Sequence, residues 1–307
     1  MRQSKSRVLA LLLAGLTLPL AAPSQSTAQP QRGVPCDLPD FEGTQYEARI
    51  DLPGPFLDAV LSAGADMGPE RTLVVVDVDN TLLHMHTDLG ADQWYRWQKE
   101  LTTTCGEQSM EVATAVPDTT GEPGVCGGDR FGAMLDIQYL LFAALPMRAL
   151  QGMAETVQEL QDRGFPVVAL TARNPVAMDA TRRELLRNGI DMSVTGPAGV
   201  VELPPAGPDR PARYANGIAM VSGDNKGKRL LELLAALGID DIVKRIVFLD
   251  DREKNVCEMQ QAFDDTGRDE RIVVLRYDAV RGQAVSFLSD TARQQAADTH
   301  WREIRDK

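Results

Sequence analysis

Leu73-Val74-Val75-Val76-Asp77-Val78-Asp79-Asn80-Thr81-Leu82-Leu83 decides how this 307-residue chain is read. An apolar run, mostly β-branched, leads straight into two carboxylates separated by one residue. Such an unbroken run is the pattern of a strand buried on both faces of a parallel sheet. The aspartates then fall at its carboxyl end, where open α/β sheets place their ligand crevice. Side chains at i and i+2 of an extended segment point the same way. Carboxylates forced together there repel, and a cation is the natural compensation.

The same design returns downstream. Phe165-Pro166-Val167-Val168-Ala169-Leu170 reads as a second buried strand, ending at Thr171-Ala172-Arg173. Asn174-Pro175 follows as N-cap and first residue of a helix. A hydroxyl and backbone N–H groups at a helix start suit phosphate oxygens. Ile246-Val247-Phe248-Leu249-Asp250-Asp251 repeats a strand closed by two acids, with Asn255 in the helix beyond. Between these, Asp224-Asn225-Lys226-Gly227-Lys228 opens an amphipathic helix carrying Leu230, Leu231, Leu234 and Leu237. A lysine at a helix start runs against the macrodipole. A broken local rule of this kind points to function.

These four stretches, in this order, resemble the motifs of the haloacid dehalogenase (HAD) superfamily, over about residues 72–276. The resemblance implies an α/β fold: a Rossmann-like parallel sheet with helices on both faces and a small, mainly helical cap insert. It implies a magnesium-dependent phosphomonoester hydrolase working through an aspartyl-phosphate. Asp77 would be the nucleophile and Asp79 the general acid and base. Thr171 and Lys226 would hold phosphate oxygens, with Lys228 as the fallback, and Ala172 and Asn80 would join them in binding substrate. Mg²⁺ would be held by Asp77, Asp79 (through its backbone carbonyl), Asp250 and Asp251, the last through water or from the second layer. Asn255 and Arg173 would be supporting residues. Haloalkanoate dehalogenases lack the second acid, so Asp79 favours phosphoryl transfer. The alternatives are a catalytically vestigial binding protein on the same scaffold, or a phosphotransferase to alcohol acceptors. The combination of Leu89-Gly90-Ala91-Asp92-Gln93-Trp94, Asn216-Gly217-Ile218 and Asn225-Lys226-Gly227 also resembles a group of exported bacterial HAD-like proteins of unassigned substrate.

Residues 1–28 read as a secretory signal peptide: basic Arg2, Lys5 and Arg7, an apolar Val8–Ala22, and small residues before a cut after Ala28, or less favourably after Ala22. The mature protein would be periplasmic or secreted, with no stable membrane insertion. The formal net charge of −12 becomes more negative once that leader is removed. An acidic chain with no Lys/Arg-rich run repels polyanions, so nucleic acid is excluded as a partner. The expected partner is a small phosphorylated molecule; oligomeric state is not legible. Cys36, Cys105, Cys126 and Cys257 match no metal or redox spacing. Disulfides are the reading for an exported protein, Cys105 with Cys126 inside one loop-rich insert, and Cys36 with Cys257 only by elimination or else as free thiols.

Residues 29–53 form an N-terminal arm, 54–83 and 146–307 the core, and 84–145 the cap insert. Helices are expected over 55–65, 92–101, 131–145, 148–163 and 286–305, the last mostly polar. Asp191–Thr195 reads as a third strand and 199–222 as a projecting hairpin; either this hairpin or the insert would set specificity. Trp94, Tyr95 and Trp97 are read as the insert's own core rather than a substrate entrance. His84 and His86 are read as polar residues of a flap rather than metal ligands.

Overall fold

The structure, a computed structural model, describes residues 33–104 and 128–306. The proposed signal peptide and the Cys105–Cys126 pairing lie outside the described residues. The chain folds as an α/β sandwich around an eight-stranded sheet. At its centre is β4 (Thr72–Val76), buried at every position. It is flanked by β7 (Val167–Thr171) and β11 (Arg245–Asp250), both parallel to it. β12 (Ile272–Tyr277) extends the sheet beyond β11, and β3 (Ala48–Ile50) forms that edge. The expected parallel sheet is therefore present, and the arm supplies its edge strand. Ahead of it, β1 (Val34–Pro35) and β2 (Gln45–Tyr46) pair in a small ribbon. The Cys36–Cys257 disulfide, reached in the sequence only by elimination, is formed and ties this ribbon to the core.

Residue parity along β4 builds two apolar layers. Val74 and Val76 face a layer that includes Phe56 and Val60 of α1 (Pro53–Met67), Val157 and Leu160 of α4 (Met153–Asp162) and Leu185 of α5 (Met178–Arg187). Leu73 and Val75 face Leu230 and Leu234 of α6 (Lys226–Ala236) and Met259 and Phe263 of α7 (Glu253–Asp265). A strand covered on both sides has no polar face, which is why its sequence does not alternate.

Three expectations about the core are corrected. Asp191–Thr195 is a turn: Asp191 Oδ1 accepts from both the backbone N and the hydroxyl of Ser193, the local bonding by which Asp competes with strand pairing. The next parallel strand is instead β10 (Ile218–Met220), beside β7. The 199–222 segment does not project: β8 (Val200–Leu203) and β9 (Ala212–Ala215) continue the sheet antiparallel from β10 as its other edge. The helix expected from 148 begins at Met153, because β6 (Met147–Ala149) pairs with β5 (Leu83–Met85) and Gly152 turns with φ +77°.

The β5–β6 ribbon brackets the segment expected as the insert, which carries α2 (Asp92–Thr104) and α3 (Gly128–Ala144). The expected terminal helix is split into α8 (Arg281–Ser289) and α9 (Thr291–Arg305), with Asp290 capping the second through the N–H groups of Ala292 and Arg293. Its rare apolar residues matter: Phe287 and Trp301 pack with Leu89, Trp94 and Leu141 of the insert. Asp88 adds a two-pronged ion pair to Arg293 at 2.5 and 2.9 Å. Among the described residues, no helix is long and apolar enough to cross a membrane.

Candidate active site

Strand register brings the distant acids together. Leu249 pairs with Val76, and the Asp77 N–H donates to the Leu249 carbonyl at 2.9 Å. Asp77 and Asp250 therefore leave neighbouring parallel strands at the same level. Asp77, Asp250 and Asp251 offer oxygens within 4.8 Å of one another. After Asp79 the chain reverses through Asn80, at φ +59°, a left-handed conformation that Asn tolerates better than most residues. The Asn80 N–H donates to the Leu83 carbonyl, and its side-chain amide reaches Asp251 at 3.4 Å.

Lys226 begins α6, and Asn225 caps that helix by accepting from the Lys228 N–H. Its buried ammonium donates to Asp77 Oδ1 at 2.5 Å and Asp250 Oδ2 at 2.6 Å. Lys228 points into solvent, so the structure brings Lys226 and not Lys228 to the acids. Gly227 makes this placement possible. A Cβ there would come within 2.5 Å of the Glu258 carbonyl on α7. The lysine's helix can approach only because that position is bare.

Asp250 is further held by the Arg252 N–H at 2.8 Å and the Asn255 amide at 2.9 and 3.0 Å. Arg96 of the insert reaches Asp251 at 3.9 Å and Asp92 at 2.6 Å. Burial raises the Asp77 carboxyl to about 8, helped by the charges of Asp250 and Asp79 and opposed by Lys226. Burial, Asp92, Asp250 and Asp77 raise Asp251 as well. Lys226 moves the other way: burial disfavours its charge, but Asp250 and Asp77 outweigh that and raise it. The site is thus a place where positive charge is held firmly and carboxylates outnumber it.

Thr171 is buried at the end of β7, its hydroxyl accepting from the Arg173 N–H at 3.2 Å. Ala172 lines the cavity above, together with Asp79 and Arg173. That cavity, about 850 Å³, lies between the core rim and the insert, with Tyr95, Tyr139 and Phe142 on the insert side and Arg210 of the β8–β9 connection on the other. Both segments expected to shape specificity therefore reach it. The tryptophan–tyrosine cluster divides: Trp94 is core, Trp97 stacks edge-on against Phe287, and Tyr95 lines the cavity. His84 stands apart from the acids' network, its Nε2 accepting from Arg148 Nε at 2.5 Å across the β5–β6 ribbon.

The family model described as a protein of unknown function, DUF2608, matches residues 58–117 and 138–305. The chain belongs to the DUF2608 family. No curated protein matches it. Among solved structures, this DUF2608 chain is similar to CbbY from Rhodobacter sphaeroides in complex with phosphate, at 17% identity and TM-score 0.37, covering 62% of this chain and 82% of that one. It is similar to the class C acid phosphatase from Bacillus anthracis at 16% identity and TM-score 0.35, covering 82% and 85%. A HAD family enzyme from Bacteroides thetaiotaomicron, in complex with magnesium and inorganic phosphate, is 10% identical with TM-score 0.35, covering 67% and 93%. All three likenesses are distant.

Sequence reading underrated two residues of this DUF2608 site. Arg173, which the motif pattern offers only as a supporting residue, grips Asp79 with two hydrogen bonds, at 2.8 and 2.9 Å. The sequence marks Arg96 only as part of a helix. Its signal was a lone arginine four residues after Asp92, on the insert helix that faces the acids.

The donor set fits a hard divalent cation. It consists of carboxylate oxygens alone, without the sulfur or imidazole that softer ions prefer. Lys226 occupies one oxygen each of Asp77 and Asp250, leaving Asp77 Oδ2, Asp250 Oδ1, which also accepts from Arg252 and Asn255, and the Asp251 carboxylate.

Proposed function

We propose that this chain is a divalent-metal-dependent phosphomonoester hydrolase acting through an aspartyl-phosphate. The observation that carries the reading is the meeting of Asp77, Asp250 and Asp251, the first two bonded to the buried Lys226, beside a cavity lined by Asp79, Ala172, Arg173 and Asn255 and large enough for a small organic phosphate. Mg²⁺ would be held by Asp77, Asp250, Asp251 and the backbone of Asp79; when bound it neutralises charge on phosphate oxygens.

The chain's own residues divide the work. An Asp77 oxygen attacks phosphorus, forming the acyl phosphate as the bond from phosphorus to the leaving alcohol breaks. Asp79 delivers a proton to the departing oxygen and then takes one from the water that hydrolyses the intermediate. Lys226 keeps Asp77 in place and offsets charge that gathers on the transferring group. Thr171 and the backbone N–H groups at the end of β7 suit phosphate oxygens. Asn80 orients Asp251, and Ala172 lets the phosphate approach the backbone.

The Cys36–Cys257 disulfide supports an oxidising compartment, in keeping with export as a periplasmic or secreted protein. The test is hydrolysis of a panel of phosphate esters with and without Mg²⁺. Turnover should require the metal and vanish in Asp77→Asn, while the folded spectrum is kept. Full turnover in that variant would reject Asp77 as nucleophile. Added glycerol should leave free phosphate as the product; a glycerol phosphate would point to transfer instead.

A further inference from the structure

We propose that Arg173 is the positioning residue for Asp79, and that Phe142 of the insert keeps it in place. The proposal rests on the hydrolase reading above and assigns what that reading leaves open: what aims the acid at the leaving group.

Asp79 lies beyond the end of its strand, with its side chain 22% exposed. A carboxylate there would otherwise rotate among several orientations. Arg173 removes that freedom. Its Nε donates to Asp79 Oδ2 at 2.9 Å and its Nη2 to Oδ1 at 2.8 Å. A two-pronged guanidinium contact fixes the plane of the carboxylate as well as its position.

The guanidinium is itself held on every side. Nη1 donates to the Thr181 hydroxyl on α5 at 2.8 Å, and Nη2 reaches Met147 Sδ on β6 at 3.1 Å. The Phe142 ring of α3 covers its face, 3.8 Å from ring centre to guanidinium carbon. The Arg173 carbonyl accepts from the Ser222 N–H, and its own N–H is bonded to Thr171 Oγ1. One residue therefore links the acid, the hydroxyl at the rim and the insert that walls the cavity. A buried ion pair is often neutral for stability, so burial alone gives no reason to build one here; a function in aiming Asp79 does.

Accurate aim matters most when the leaving oxygen needs a proton. An alkoxide does, and a nitrophenolate hardly does. The value of kcat/KM reports the steps through loss of that group, so it isolates the acid half of Asp79's work. Arg173→Gln is expected to lower kcat/KM for an alkyl phosphate ~100-fold, the scale of general-acid catalysis, and for 4-nitrophenyl phosphate by less than about 10-fold. Arg173→Lys should recover part of the alkyl loss. In an Asp79→Asn background, Arg173→Gln should add no further loss, because the group it aims is gone. Phe142→Leu, which keeps an apolar side chain, should show the same substrate bias at smaller amplitude, and it carries the test if Arg173→Gln does not fold. Equal losses on both substrates, or losses that multiply with Asp79→Asn, would overturn the proposal. A wild-type protein inactive on every ester would instead remove the hydrolase reading beneath it, so the two failures can be told apart.

Discussion

Lys226 is the residue on which the site's charge balance turns, since it is the cation bonded to both Asp77 and Asp250. Lys226→Met leaves two buried carboxylates facing each other. Breaking a buried pair from one side costs about 3–5 kcal/mol, and that loss is expected in urea unfolding without divalent ions. The proposed hydrolytic turnover should fall by roughly 10²–10³, the scale for removing one preorganised charge donor. Wild-type turnover in this variant would strike the lysine from the machinery. His84 gives a different readout. Burial, then the charges of Arg148 and His86, lower it from 6.5 to about 4. The folded state thus keeps the imidazole neutral where the unfolded chain would protonate it. Its contribution to stability is complete above pH 6.5 and is lost as pH falls from there toward 4. His84→Gln should flatten the stability profile within that window and nowhere else, as urea midpoints would show. The motif acids and Lys226 were legible in the sequence because chemistry restricts their residue type. The grip of Arg173 on Asp79 was not, because it joins residues 94 apart whose pairing depends on how two loops meet.

Gly227 shows what an element needs beyond its pattern. The leucine spacing of α6 predicts a helix, but only the packing explains the glycine next to Lys226. A methyl group there would meet the Glu258 carbonyl at 2.5 Å and Ala262 Cβ at 2.6 Å. Gly227→Ala should cost about 1–3 kcal/mol, as overpacking does. It should also displace Lys226, so turnover is expected to fall further than the stability loss explains. A variant as active and as stable as wild type would show that the helices have slack the contact distances deny. Among elements, the long parallel strands could be read because burial on both faces writes an unbroken apolar run. β10 escaped because it is three residues long and follows the Asn216-Gly217 turn, so its apolar run was absorbed into a hairpin. The 191–195 turn misled because Met192 and Val194 alternate like a strand, while the Asp191–Ser193 bonds that decide it leave no such periodic trace. The terminal helices looked solvated because the insert surface that Phe287 and Trp301 cover is assembled only in three dimensions.

At the scale of the whole molecule, two long-range ties set stability. The Cys36–Cys257 disulfide joins residues 221 apart in sequence. Removing a native disulfide costs about 2–5 kcal/mol, so Cys36→Ser/Cys257→Ser should unfold at correspondingly lower urea concentration. The second tie is ionic. Asp77, Asp250 and Asp251 bring three carboxylates into one small volume, and Lys226 bonds two of them. A divalent ion that binds this cluster only in the folded chain must raise its stability by mass action. At a free concentration one hundred times Kd the gain is about 2.7 kcal/mol. Mg²⁺ is therefore expected to raise the melting temperature of chelator-treated protein in a saturable way. Asp250→Asn and Asp251→Asn should each shift that saturation to higher concentration, whereas Arg163→Ala, whose ion pair to Glu159 is exposed, should leave it unchanged. The readout needs no substrate, so it examines the ion site separately from the chemistry assigned to it. A melting temperature indifferent to Mg²⁺, Mn²⁺ and Ca²⁺ would mean that the protein's own donors satisfy these acids, and the metal-dependent mechanism would have to be given up even if the fold and cavity stand.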